Sequence, residues 1–352
     1  MVYVTDSDFV VTVAWWTGTA SVALVFLLML QILFLRWLLN RRLLRRESFV
    51  AAWQPLLMEC IDEVPTLVPK IREGDRYSFL TLWNYLHESV RDEPKERLNR
   101  LARACDMDAV ALNLARSGNI REKLMGLATL GNLRDDTTWG ETAEMAAGND
   151  APLSLAAARA LMRIDARRAI DLLMPLIAAH KDWSLSFVAI MLKEAGPDVV
   201  SDPLARAALA AAPEYAPRLV GFLETAYANV RIPTLRRILH STNDTETVIA
   251  VLRIWNDPED IETVREFLRD ERWQVRVQAV RALGRTGTQA DEQLLIGALA
   301  DPEWWVRYRA AQSLAGLPSV SGAKLARFRE AQHSEYARDI LAQVIAERGL
   351  AT

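Results

Sequence analysis

Residues 270–283 read DERWQVRVQAVRAL, and residues 301–314 read DPEWWVRYRAAQSL. Aligned at an offset of 31, Asp270, Trp273, Val275, Arg276, Ala279 and Leu283 fall on Asp301, Trp304, Val306, Arg307, Ala310 and Leu314. A period of that length is too long for a heptad and too short for a domain, so each copy is expected to be one supersecondary unit stacked on the next. Val275, Ala279 and Leu283 make one apolar helical stripe, and the small Ala at its middle lets a neighbouring helix approach closely. Gly284 and Gly287 are expected to stop this helix and turn the chain, with Leu294, Leu295, Ala298 and Leu299 forming the buried face of a second helix. Asp270 and Asp301 stand where N-caps are expected, and Pro302 near a first helical position.

The pattern Asp-x-x-Trp-x-Val-Arg-x-x-Ala-x-x-x-Leu resembles the HEAT repeats of the short bacterial type related to phycobilisome-lyase repeats. The resemblance implies an all-α fold, a right-handed α-solenoid of helical hairpins. It also implies that Asp270 and Arg276, and Asp301 and Arg307, take part in a ladder between successive repeats. Fainter copies run upstream: Leu130, Leu161 and Leu192 stand 31 apart, as do Leu127, Ala158 and Ala189. Breakers at Gly148 to Pro152, Gly196 to Pro197, Pro213 to Pro217, Asn256 to Pro258 and Gly316 to Pro318 leave room for about eight hairpins. The Trp, Gly and Tyr signature of tetratricopeptide repeats is not found at their longer period.

Phe9 to Leu35 is a run of 27 residues without a charge, longer than the roughly 20 that a bilayer-spanning helix needs. Trp15 and Trp16 near one end and Trp37 near the other are placed as an aromatic belt. A cleaved signal peptide calls for a basic start, a shorter apolar run and a small-residue cleavage site, and this stretch has none of them. Asp6 and Asp8 precede the run, whereas Arg36, Arg41, Arg42, Arg45 and Arg46 follow it. By the positive-inside rule the N-terminus lies outside and the remainder in the cytoplasm, at an inner (cytoplasmic) membrane. Those arginines either hold anionic headgroups, at ~1 kcal/mol each near the surface, or merely arrest translocation. Ala14 and Gly18, together with Ser21 spaced from Thr17, form small-residue pairs, and Gln31 is a polar group inside the run. A second transmembrane helix could pack there, or the pairs arise by chance in a helix rich in small residues.

The expected organisation is a short outer tail (1–8), a transmembrane helix (9–39), a basic juxtamembrane segment and connector (40–76), a HEAT-like solenoid (77–333) and a C-terminal capping helix (334–352). Phe49, Trp53, Leu56, Leu57 and Ile61 mark a juxtamembrane helix interrupted by Pro55.

The chemistry of the sequence is sparse. Cys60 and Cys105 lack any CxxC spacing, so neither a disulfide framework nor a zinc site is expected. His87, His180, His240 and His333 are scattered; His87-Glu88 is similar to the metal-binding pairs of a HEAT-like hydroxylase family, but that site needs several such pairs. No phosphate-binding glycine loop and no nucleophile elbow occurs. We therefore expect no catalytic residue, no metal and no cofactor. Net charge is −3, which does not favour a nucleic-acid surface. Arg163, Arg167, Arg168, Arg231, Arg236 and Arg237 would be the basic face of a nucleic-acid-binding HEAT protein, or else an ion-paired, solvated one. Trp304 repeats Trp273 and is expected to pack between repeats. Trp305 and Tyr308 replace Gln274 and Val277, are not demanded by the repeat, and are the expected partner-binding residues.

The expected function is that of a membrane-anchored protein-protein interaction scaffold, its partner a membrane-associated complex subunit. The resemblance to other membrane-anchored bacterial HEAT proteins suggests a cell-envelope glycan synthesis or export assembly. It leaves open a homo-oligomer, and a lyase- or chaperone-like action on a bilin or similar small ligand.

Overall fold

The computed structural model describes residues 6–63, 68–91, 93–258 and 260–349; for 6–10, 38–39 and 42–46 it is the backbone alone that is described. These residues form nineteen α-helices, joined by turns and short 3-10 segments, and include no strand. The chain divides into two compact units, Met1–Leu133 and Arg134–Thr352.

The first unit begins with one continuous helix, α1 (Asp6–Asp62), 57 residues long and therefore ~85 Å from end to end. Its apolar part, Val11–Trp37, is a 27-residue stretch with nothing buried inside the fold. The sequence suggested an interruption at Pro55; the helix runs through it. Pro55 faces solvent, where water can satisfy the carbonyl that its missing N–H leaves unpaired.

The far end of α1 is core rather than connector. Phe49, Trp53, Leu57 and Cys60 pack into one cluster with residues of α2 (Arg76–Ser89) and α3 (Glu93–Ala104), among them Phe79, Trp83 and Leu98. Trp53 stacks on Phe49 and meets the Phe79 ring edge-on, with centroids 5.1 Å apart. Arg97 of α3 closes the end of α1 by donating from Nε and Nη2 to the Ile61 carbonyl, at 3.0 and 2.6 Å. The cluster is completed by α4 (Met107–Ser117) and α5 (Ile120–Leu133). Here Gly126 brings α5 against α4 so closely that a Cβ would lie 2.5 Å from the Ala111 carbonyl oxygen. Asn84 and Asn132 bond across α2 and α5, Asn132 Nδ2 donating to Asn84 Oδ1 at 2.8 Å, so the buried amides are paired.

The second unit holds α6 (Trp139–Ala146), α7 (Ala151–Ile164), α8 (Ala166–Ala179), α9 (Leu185–Ala195), α10 (Pro197–Ala210), α11 (Ala216–Phe222), α12 (Ala228–Ser241), α13 (Thr245–Ile254), α14 (Ile261–Glu266), α15 (Trp273–Thr286), α16 (Glu292–Ala298), α17 (Trp304–Gly316), α18 (Gly322–Glu330) and α19 (Glu335–Glu347). Neighbours in sequence form hairpins, and α11, α13, α15, α17 and α19 pack successively on one another, which is the stacking of an α-solenoid. Aspartate caps recur where helices start: Asp150, Asp165 and Asp244 each accept a backbone N–H of the first turn. Val275, Ala279 and Leu283, and their counterparts Val306, Ala310 and Leu314, are buried along the α15–α17 contact. Leu130, Leu161 and Leu192 are buried likewise in their own helices.

Three local expectations are corrected. Asp270 and Asp301 are not the N-caps of α15 and α17; Arg272 and Glu303 hold those positions, and each Asp accepts the backbone N–H two residues on. The side chain thus turns the chain just before the helix, and Pro302 lies in that turn, next to the N-cap Glu303. Gly284 does not stop α15, which runs on to Thr286. It sits inside the helix where a Cβ would be 2.6 Å from Ser313 Cβ of α17. Leu294 is exposed, because Leu295 and the C-cap Leu299, four residues apart, share the face that α16 turns to the core.

Candidate functional site

The repeat residues are joined across successive hairpins. Arg276 on α15 donates from Nε and Nη2 to both oxygens of Asp301, at 2.7 and 2.9 Å, while Nη1 reaches back to the carbonyls of Asp270 and Glu271. A planar guanidinium gripping a carboxylate with two parallel bonds is among the stronger polar contacts proteins make. Asp270 is held by Arg272, whose Nη1 also donates to the Asn243 carbonyl of the preceding repeat at 2.8 Å. Hydrogen bonds from Arg272, ahead of the opposing effect of burial, lower the Asp270 pKa. Arg307 donates to the carbonyls of Asp301 and Pro302, both at 2.8 Å, and lies over the Tyr336 ring; no aspartate is available at the next rung. Position 332, one period beyond Asp301, is Gln.

The same linkage appears with other residues. Arg236 of α12 bonds Asp257 at 3.0 Å and, more closely, Asp260. Arg265 of α14 bonds the buried Asp291 at 2.8 Å, and Lys324 of α18 bonds Glu292 at 2.7 Å. Their irregular spacing hides these links from a search for a repeat.

The aromatics are arranged differently from expectation. Trp304 is 40% exposed and Trp305 49%, whereas Tyr308 is half-buried and donates its hydroxyl to Glu347 Oε2 of α19 at 2.9 Å. Tyr308 stacks flat on Trp304, with centroids 4.9 Å apart, and Trp305 meets Trp304 edge-on at 4.8 Å. Trp304 therefore belongs to the surface patch rather than to packing between repeats, and Tyr308 supports it from below. Tyr336, also exposed, was missed because it lies in the capping helix, outside the repeat.

Along α1, Arg36 and Arg41 are described, and Arg41 lies over the Trp37 ring at 4.7 Å. The side chains of Arg42, Arg45 and Arg46 lie outside the described residues. Ala14, Gly18, Ser21 and Gln31 are all exposed, and nothing lies within 4 Å of where a Gly18 Cβ would be. Ser21 and its neighbours Thr17 and Thr19 donate their hydroxyls to carbonyls one turn back, which spares the hydroxyl groups an unpaired state in hydrocarbon.

The basic residues singled out in the sequence are largely engaged: Arg163 with Glu194, Arg168 with Asp136, Arg231 with Asn256, and Arg236 as above. Among the described residues no three His, Cys, Asp or Glu side chains come together as metal ligands.

Compared with known proteins, residues 232–315 match the family model described as HEAT repeats. No curated protein matches the chain. HEAT repeats serve as scaffolds for protein interaction, typically without catalysis of their own. The match spans α12 to α17, where the 31-residue period, the stacked hairpins and the Arg276–Asp301 bond coincide; residues 232–315 are thus similar to HEAT repeats, on a chain whose N-terminal helix is long and apolar enough to cross a membrane.

Proposed function

We propose that the protein is a single-pass membrane scaffold whose HEAT repeats hold a second protein beside the bilayer. The observation that carries this reading is the exposed 27-residue apolar stretch of α1 on the same chain as the repeats. Such a surface is costly in water and is satisfied by hydrocarbon. Confinement to a membrane raises the effective concentration of whatever the repeats bind, without further contacts. The arginines that follow the span favour an N-terminus outside and the repeats in the cytoplasm, at the inner membrane. A glycan synthesis or export assembly is the setting suggested by the resemblance alone.

The anchoring residues for the partner are Trp304 and Trp305, with Tyr308 as their support. Large rings left in water at the start of one helix are suited to fill a partner's pocket. The test is affinity purification of the full chain in mild detergent, beside a Trp304→Ser/Trp305→Ser variant. Loss of a hot-spot aromatic costs about 2 kcal/mol or more, so the captured protein should fall sharply while thermal unfolding changes little. Equal capture by the variant would remove the patch from the interface. A periplasm-only reporter fused after residue 349 should be silent, and activity there would reverse the topology.

A further inference from the structure

Four arginines converge where α15, α17 and the end of α19 meet. Arg281 and Arg285 of α15, Arg309 of α17 and Arg348 line a cleft of ≈ 230 Å3, and no carboxylate is among its lining residues. Each cation but one is positioned by neutral groups. Arg285 Nη2 donates to the carbonyls of Leu252, Arg253 and Trp255, at 2.9, 2.9 and 3.2 Å, at the end of α13. Arg348 donates to the carbonyls of Ala315 and Gln312, at 2.6 and 3.1 Å, and Arg309 Nη1 to Gln312 Oε1 at 2.6 Å. These bonds orient the guanidinium groups and leave their positive charge in place.

Arg281 is exposed, and the charged neighbours that act on it, Arg309 and Arg253, share its sign; burial first, then these two, push its pKa down. Burial and Arg281 push Arg285 the same way, against Glu224 outside the cleft. The contrast with the surrounding repeats is sharp, since Arg236, Arg265, Arg272 and Arg276 each hold an aspartate. Repulsion left unrelieved in a concave site is relieved by an anion, and low-dielectric walls strengthen that attraction.

We propose that this cleft binds a compact phosphate-bearing anion, with a diphosphate group the best match. Guanidinium forks pair with phosphate oxygens two at a time; among the described residues Arg281 makes no hydrogen bond or ion pair, and Arg309 donates to Gln312 and lies over the Tyr308 ring. A lone carboxylate would neutralise one cation of the four. A diphosphate brings several charges and enough oxygens to engage more than one fork. This goes beyond the scaffold reading, and its test does not depend on partner capture.

The experiment is calorimetric titration of the full chain in neutral detergent, without divalent cations and at constant ionic strength, with inorganic pyrophosphate and separately with ADP. Both should bind at one site with a Kd of about 1 mM or tighter. Arg281→Gln/Arg309→Gln should weaken binding by about tenfold or more, given the strength of hydrogen bonds to charged groups. Arg206→Gln, which loses only an exposed pair with Asp171, should bind as the parent. Equal affinities mean that free diphosphate suffices, and tighter ADP identifies a nucleotide as the source; both support the site. Should the double variant fail to fold, the single Arg281→Gln carries the comparison, because that side chain is exposed and makes no hydrogen bond or ion pair among the described residues. Absence of binding by both anions, or undiminished binding by the variants, overturns the proposal. Binding of a single-stranded oligonucleotide that falls steeply with salt, with none of pyrophosphate, overturns it in favour of nucleic acid.

Discussion

Arg276 and Arg307 are the same residue of the same repeat, yet their surroundings give them different weight. Arg276 neutralises the nearly buried Asp301 through two bonds, whereas Arg307 meets only neutral carbonyls and a ring. Arg276→Ala should therefore lower the stability of the second unit by about 2–3 kcal/mol, between a charged hydrogen bond and a broken buried pair. Arg307→Ala should cost about 1 kcal/mol. Denaturant unfolding of the two variants checks the order, and equal losses would mean that the carboxylate contact adds nothing. The spacing of Asp and Arg was legible because both copies retain it. Which Arg finds an Asp was not, since that depends on what stands one repeat further along.

At the scale of the helix, α1 unites two roles that the sequence separates. Its apolar stretch has no partner in the fold, while Phe49, Trp53, Leu57 and Cys60 are core of the first unit. Deleting residues 1–40 should leave that unit cooperatively folded, and deleting 1–62 should unfold it, as circular dichroism of the two truncations would show. Similar melting of both would contradict the shared core. Gly126→Ala tests the α4–α5 contact. Alanine gains about 1 kcal/mol of helix propensity over glycine, but the new methyl meets the fixed backbone of Ala111 and Ala115, an overpacking cost of about 1–3 kcal/mol. Net destabilisation of the first unit is expected in a denaturant melt, and an unchanged or raised midpoint would show that α4 and α5 separate freely. Periodicity exposed the apolar stripes of α15 and α17. It could not show that Gly284 is a contact rather than a stop, because glycine serves either purpose.

Over the second unit as a whole, links between repeats make stability depend on acid. Asp270, bonded by Arg272, titrates below its ordinary 3.8, and Glu292, bonded by Lys324 and Ser319, below its ordinary 4.5. Burial acts to raise Asp260, but hydrogen bonds from Thr263 and Arg236 outweigh it, and its pKa is also lowered. An unfolded chain takes up these protons at a higher pH than the folded one, so their contribution is complete above the ordinary values and is lost as pH falls below them. The melting temperature should hold from neutrality to about pH 5 and decline below about pH 4.5, in line with those values. Arg272→Gln should flatten the decline; an identical acid profile in that variant would show that Asp270 is not one of its sources.

The apolar run from Phe9 to Leu35, the 31-residue period and the helical stripes are local patterns, and length, spacing and side-chain size suffice to read them. They determined an all-helical repeat protein with one helix fit for a bilayer. Contacts between residues far apart in the chain were decided only by tertiary structure. Tyr308 is drawn to Glu347 while Trp304 is left in water, α1 closes the core of α2 and α3, and four arginines from α15, α17 and the end of α19 line a cleft without an acid. Each depends on which faces stacking brings together, and residues 31 or 39 apart meet or miss according to the rotation between successive hairpins, a quantity that no single stretch of sequence contains.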